Sequence, residues 1–375
     1  MFKTLCSTAA VALALSATSA LAEVKIGSIV ELSGAGAAAG TNFRDGVHMA
    51  FEEINAAGGI LGEQVSITEY DSQTDPQVSR AMVQKAIDDG VYAITGTVFS
   101  SSTIVNMLVA QQAGIPQFTG SEAPKITQMN NPYIFRTAFG SQKGIPKMTK
   151  YMAEEMGIKK VAVVWANTEF GKGGHSAFVD EVGNHGIEII ADIPTEQAQT
   201  DFSADVLKAK NSGADAVFVY LTEEESARFL REAQKQSIGL PMIGETTLIG
   251  AKVIELAGDA ANGAMGHVGL TADADIPAMT DMVARFTAQF KYTPDHNAIK
   301  GYTAAYAIKC VTEKNGKVDS QALADAMHGL KLTVAECPGV LMDVSWDETG
   351  EMSRESFFVE VQDGKQTIKA VLPPN

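Results

Sequence analysis

Residues 23–59 read EVKIGSIVELSGAGAAAGTNFRDGVHMAFEEINAAGG, and the change of rhythm inside them decides the fold. Val24 to Val30 reads as a short buried strand. From Phe43 the spacing becomes helical, with Val47, Ala50, Phe51 and Ile54 on one apolar face, and Gly58-Gly59 stops that helix. Between strand and helix lies a run of small residues, Ser33 to Gly40. This strand, glycine-rich turn and helix form the opening half of a β-α-β unit.

The unit repeats outward from there. A second strand, Val65 to Tyr70, precedes Asp75-Pro76, a cap and first-turn pair for a helix carrying Val78, Met82, Ala86 and Ile87. A strand at Tyr92 to Thr95, a helix from Ser102 to Gln112 and a strand at Gln117 to Thr119 continue the alternation. Strands alternating with helices imply a parallel sheet built by right-handed crossovers, with helices on both faces. After Arg136 to Gly140 the rhythm restarts, with strands predicted at 161–165, 187–191, 216–221 and 242–243. Helices are predicted at 171–184, 202–210, 225–236 and 251–257. Residues 266 to 277 are polar and turn-rich and read as a crossing, followed by helices at 278–290, 299–314 and 320–328. Three strand-like runs, Val340 to Val344, Phe357 to Val361 and Thr367 to Val371, form a tail expected to add antiparallel strands to one sheet. The fold class is α/β, and the chain's size favours two such units.

Lys3, an apolar run from Ala9 to Ala17, and Ala20-Leu21-Ala22 have the layout of a cleavable export signal ending before Glu23. Net charge is −16, or −17 once Lys3 is removed, which disfavours nucleic acid and anionic membranes as partners. Of three cysteines, Cys6 lies in the leader; Cys310 and Cys337 remain to form one disulfide in an oxidising compartment, the alternative being two unreacted thiols.

Candidate binding groups collect after the expected strands, where open α/β sheets place ligands. Gly34, Gly36 and Gly40 come near a dinucleotide fingerprint but miss its spacing, and an exported chain meets few such cofactors. Ser100-Ser101-Ser102-Thr103 opens a helix, where free amides and hydroxyls suit a carboxylate. Thr119 to Pro124, including Ser121 and Glu122, follows the next strand, and Gly244 to Thr247, including Glu245 and Thr246, follows its counterpart in the second unit. An acid at such a strand end suits an ammonium group. Thr222 opens a corner whose acids, Glu223 to Glu225, also fit an ordinary first helical turn. The six histidines are scattered, and neither a GxSxG elbow nor a phosphate-binding Walker loop occurs. The chain therefore offers binding groups without a catalytic set, and it calls for no cofactor or metal.

These segments, taken in order, resemble a known family. Ile54-Asn55-Ala56-Ala57-Gly58-Gly59-Ile60-Leu61-Gly62, Tyr70-Asp71, Asp75-Pro76, Gly96 with Ser100 to Thr103, Gly114-Ile115-Pro116, Phe135-Arg136-Thr137 and Phe170-Gly171 are similar to the branched-chain amino acid type of periplasmic solute-binding protein. The resemblance implies a type I periplasmic-binding fold: two Rossmann-like lobes, three crossings, and a solute clamped between them for an ABC permease of the inner membrane. It implies a monomer whose lobes comprise residues 23–139 with 272–337, and 140–271 with 338–375, after a 1–22 leader. Carried over, Ser100 holds the ligand carboxylate, Ser121 and Glu122 add contacts, Phe170 supplies an aromatic wall, and Glu245 or Thr246 meets the ammonium. Ser101 and Thr222 join this expected ligand set from their positions alone. The chain departs from the family at Ala39, where relatives carry an aromatic, at Glu122, where they carry threonine, and at Phe170, which lacks a hydroxyl. The expected cargo is an amino acid or a related small carboxylate or amine. A ligand-sensing receptor module and a secreted α/β enzyme are the alternatives.

Overall fold

The structure, a computed structural model, describes residues 23–374, so the leader lies outside the described residues. The first lobe opens with β1 (Val24–Val30), α1 (Ala37–Ala56), β2 (Val65–Asp71), α2 (Pro76–Asp88) and β3 (Ala93–Gly96). It continues with α3 (Ser100–Ala113), β4 (Gln117–Thr119), α4 (Lys125–Gln128) and β5 (Ile134–Arg136). Its sheet has the order β2-β1-β3-β4-β5 and is parallel throughout, with Val24 beside Val65 and Ile26 beside Ala93.

The second lobe runs α5 (Ser141–Glu154), β6 (Lys160–Ala166), α6 (Glu169–Val182), β7 (Glu188–Thr195), α7 (Ser203–Lys210) and β8 (Ala216–Tyr220). There follow α8 (Glu223–Lys235), β9 (Met242–Gly244), α9 (Thr246–Ile249), α10 (Ala251–Ala257) and β10 (Met265–Val268). The chain then makes α11 (Pro277–Phe290), α12 (His296–Asn315), α13 (Ser320–Met327), β11 (Lys331–Leu332), β12 (Val344–Trp346) and β13 (Met352–Ser353). It ends with β14 (Ser356–Gln362) and β15 (Lys365–Leu372), which extend the second sheet to β15-β14-β10-β9-β8-β6-β7. β14 pairs antiparallel with β10 and β15, while the other contacts in this sheet are parallel.

One device builds both lobes. After β1, α1 passes so close to the strand that a Cβ on Gly40 would lie 2.0 Å from the Glu31 carbonyl oxygen; after β6, a Cβ on Gly171 would lie 1.7 Å from that of Ala166. Only glycine allows each helix to start directly over its strand end. This explains one correction: α1 begins at Ala37 rather than Phe43, so the second half of the Ser33–Gly40 run is helix. The remainder of that loop is held by Asp71, which accepts from the Leu32 and Ser33 amides and the Ser33 hydroxyl at 3.0, 3.2 and 2.7 Å. Asp71 therefore ties the loop to β2.

Other expectations also move. Residues 265–268, inside and beside the expected crossing, form β10, because Gly266 lets it lie against Gly244 of β9. Val340 sits in a 3-10 turn, and its strand starts only at Val344. β12 and its neighbours form a separate three-stranded sheet, with only β14 and β15 joining the second lobe. That small sheet packs on the first lobe: Trp346 Nε1 donates to the Arg136 carbonyl at 2.7 Å, and the Arg136 amide donates to the Gly350 carbonyl at 3.0 Å. Contacts therefore place residues 338–353 with the first lobe, and the chain returns to the second between Ser353 and Ser356 rather than at 337–338.

The first crossing is locked by a buried ion pair. Arg136 Nε meets Glu351 Oε2 at 3.0 Å, and Glu351 also accepts from the Gly140 amide, Thr127 and Gln142 at 3.1, 2.7 and 2.6 Å. Arg136 donates further to the Ser121 and Ala123 carbonyls. The Cys310–Cys337 disulfide forms and ties the end of α12 to the turn before β12.

Candidate functional site

Between the lobes the C-terminal ends of both parallel sheets face each other, and the polar residues that follow those strands line one cleft. On the first-lobe wall, Ser100 and Ser101 open α3, whose N-cap residue Phe99 provides no side-chain cap. Uncapped first-turn amides at the positive end of a 14-residue helix attract an anion. The Ser100 Oγ accepts from the Ala123 amide at 3.2 Å, which orients the hydroxyl and leaves its proton to donate. Glu31, at the end of β1, fixes the preceding turn by accepting from the Val98 and Phe99 amides at 3.2 and 3.1 Å. Full burial pushes its carboxyl up to about 7 despite those bonds.

Glu122 lines the same wall. Its Oε1 accepts from Lys300 Nζ of α12 at 2.7 Å, with both side chains nearly buried. On the second-lobe wall, Phe170 of α6 faces the cleft and stacks on Tyr220 with ring centroids 4.3 Å apart. Thr222 caps α8 in a reciprocal capping box with Glu225, so that acid serves the helix start. Glu223 instead enters the cleft, where Asn297 Nδ2 donates to it at 3.1 Å and His296 Nε2 lies 3.5 Å away. Burial alone would raise its carboxyl, but His296 and Asn297 outweigh burial and hold it at about 2. The Asn297–Glu223 bond joins the two lobes across the cleft, and Lys125 of α4 reaches Glu169 of α6 at 3.5 Å.

Three expected ligand residues stand elsewhere. Ser121 is fully buried, and its hydroxyl is engaged by the Thr97 and Val98 carbonyls and by Thr103, so it supports the strand end from behind. Glu245 sits behind the second-lobe wall with its Oε2 2.8 Å from His267 Nδ1; desolvation raises its carboxyl, partly offset by His267. Thr246 lines a neighbouring cavity on the far side of His296, while Thr247 reaches the cleft. Ser100, Ser101, Glu122, Phe170 and Thr222 do converge there.

Sequence reading missed Glu31, His296, Asn297 and Lys300, and it left Glu223 between a cleft acid and an ordinary first helical turn. One signal for Lys300 existed: a single cation among Ile299, Gly301, Tyr302 and Ala304, in a helix buried on nearly every side. A lysine so placed needs a partner.

Known proteins share this two-lobed fold. A model of the family described as periplasmic binding protein matches residues 23–366. The leucine-, isoleucine-, valine-, threonine- and alanine-binding protein of Pseudomonas aeruginosa is 28% identical over 337 residues, covering 90% of this chain and 89% of that one. Among solved structures, a leucine-binding protein from Thermotoga maritima superposes with a TM-score of 0.84 at 22% identity, covering 94% of this chain and 99% of that one. A solute-binding protein from Rhodopseudomonas palustris, in complex with 3,4-dihydroxybenzoic acid, does so with a TM-score of 0.86 at 23% identity, covering 94% and 97%. Since the family match extends from β1 to the start of β15, the chain belongs to the periplasmic binding protein family.

Proposed function

We propose that this chain captures a small organic carboxylate, an amino acid or a related acid, with the carboxylate seated on Ser100 and Ser101 at the start of α3. The observation that carries this reading is the uncapped N-terminus of α3, which opens into the interlobe cleft opposite Phe170 and Glu223. A helix start with no side-chain cap in a closed space calls for an anion, and a carboxylate satisfies two amides and a hydroxyl together. The named ligands of the relatives, leucine, isoleucine, valine, threonine and alanine in one case and a dihydroxybenzoic acid in another, share that carboxylate.

The chain is the periplasmic solute-binding component of an ABC importer and not an enzyme. Its work is therefore conformational. A solute touching both walls stabilises the closed form by its difference in affinity for closed and open states, and the closed pair of lobes is what the permease receives. Opening breaks the Asn297–Glu223 bond and the Lys125–Glu169 pair. A ligand must outweigh those losses only in reverse: it adds to contacts that already favour closure.

A thermal-shift screen over amino acids, aliphatic and aromatic carboxylates, amides and amines tests the reading, because a ligand of the folded state raises Tm by mass action. Stabilisation confined to solutes that carry a carboxylate is expected. Stabilisation by amines or neutral amides alone would overturn the assignment of the α3 seat.

A further inference from the structure

Three of the acids in or beside the cleft already have nitrogen partners on side chains of this chain. Glu122 holds Lys300 at 2.7 Å, Glu223 holds Asn297 at 3.1 Å with His296 at 3.5 Å, and Glu245 holds His267 at 2.8 Å. The side chains of Lys300 and Glu122 are 8% and 10% exposed and that of His267 is fully buried, so these contacts are shielded from competing water. Lys300 Nζ also lies 3.4 Å from Asn297 Oδ1, which links the first and second of these groups into one network. By contrast, the carboxylate seat at α3 has no side-chain cap.

We infer that Lys300, with Asn297 and His296 at Glu223, stands where a ligand ammonium would otherwise be received, so that the cleft selects carboxylates without an α-ammonium over the matching amino acids. This inference rests on the carboxylate seat proposed above. An amino acid entering this cleft brings an ammonium that must shed its water and find an acceptor. Placing it on Glu122 sets two cations against one carboxylate in a low-dielectric space, and displacing Lys300 leaves that lysine buried without an anionic partner. At Glu223, Asn297 already donates to the carboxylate and His296 stands 3.5 Å away, so an incoming ammonium has to compete for that acceptor. A des-amino acid makes the carboxylate contacts and leaves the network intact. Phe99 and Phe170, both on the cleft wall, offer apolar surface to the remainder of such a ligand.

Calorimetric titration of the full mature chain with matched pairs tests this: leucine against 4-methylpentanoate and 4-methyl-2-oxopentanoate, and phenylalanine against 3-phenylpropanoate. The des-amino member is expected to bind at least about tenfold tighter. Equal or tighter binding of the amino acid overturns the inference while leaving the carboxylate seat standing. Silence of every member, with Ser100→Ala equally silent, removes the seat and this inference with it. Lys300→Gln frees Glu122 and should lower the preference for the des-amino member by about tenfold or more; an unchanged ratio in a variant of native circular dichroism also overturns it. The wild-type comparison decides the matter even if that variant does not fold.

Discussion

Arg136 and Glu351 meet at the first crossing between the lobes, Lys300 and Glu122 meet on the cleft wall, and both pairs join residues far apart in the chain, by 215 and 178 positions. Their surroundings separate them. Around Arg136 and Glu351, backbone carbonyls, a backbone amide, Thr127 and Gln142 occupy the hydrogen-bonding positions of both groups. Lys300 and Glu122 are enclosed on one side by α12 and the β4 strand end, and on the other they face the cleft. A fully satisfied buried pair fixes geometry; a pair with one open side can be consulted by whatever enters. The same chemistry thus serves as a lock in one region and as a selector in the other.

The strongest way to break this contrast is Glu351→Ala. It leaves Arg136 charged and buried, and the expected loss is about 3–5 kcal/mol of unfolding free energy in denaturant titration. A loss below about 1 kcal/mol would show that the crossing does not depend on the lock. Removing the disulfide with Cys310→Ser and Cys337→Ser comes next. Releasing a 27-residue separation should cost about 3 kcal/mol in stability. Because Cys310 lies at the far end of the helix that bears Lys300, ligand preference should stay unchanged in this variant, and a changed preference would mean that the selector depends on the anchoring of α12.

Ser100→Ala removes a hydroxyl hydrogen bond to a charged group and should weaken ligand binding by roughly 1.5–3 kcal/mol in calorimetry. An unaltered Kd sinks the seat. Glu31 sharpens the contrast from another direction, since it is a buried acid with amide partners and no cation. Its carboxyl is near 4.5 when unfolded and about 7 when folded. Between those values the folded chain holds a proton that the unfolded chain has lost, so stability declines as pH rises through this window. The slope approaches roughly 1.4 kcal/mol per pH unit, for a total on the order of 3 kcal/mol across that window. Glu31→Gln should flatten that decline in denaturation at pH 5 and 7, and an identical slope would reject the shift. Glu223, held at about 2, acts in a different window: it supports folding above about 4.5 and loses that support as pH falls toward 2. The smallest effect belongs to the exposed Lys125–Glu169 contact. Lys125→Ala should shift ligand affinity by less than about 1 kcal/mol, and the difference should fade at high salt.

Much of the architecture was legible in the sequence. Asp75 does cap α2, accepting from the Gln77 and Val78 amides, and Gln117 to Thr119 is β4 as the alternation indicated. The missed elements were short or atypical. β5 has three residues, and α5 carries Pro146 inside and opens with Gly140 as a cap that makes no side-chain bond. Of the candidate site, Ser100, Ser101, Glu122 and Thr222 were visible because ligands gather beyond strand ends, and Phe170 through the family resemblance. Ser121 and Glu245 follow strand ends as well, yet point into the protein, and position along the chain does not distinguish the two outcomes.

The sequence by itself determined the strand and helix rhythm, the two α/β units and the export signal's layout, because each depends on residues a few positions apart or on composition. The tertiary structure alone decided what the acids mean. Glu122 looked like an added negative charge, and folding brought Lys300 to it across 178 positions. Glu245 looked like an ammonium acceptor, and folding brought it His267. Net electrostatics in a cleft is a sum over neighbours in space, and those neighbours come from α12 and β10, which no local pattern connects to the strand ends they serve.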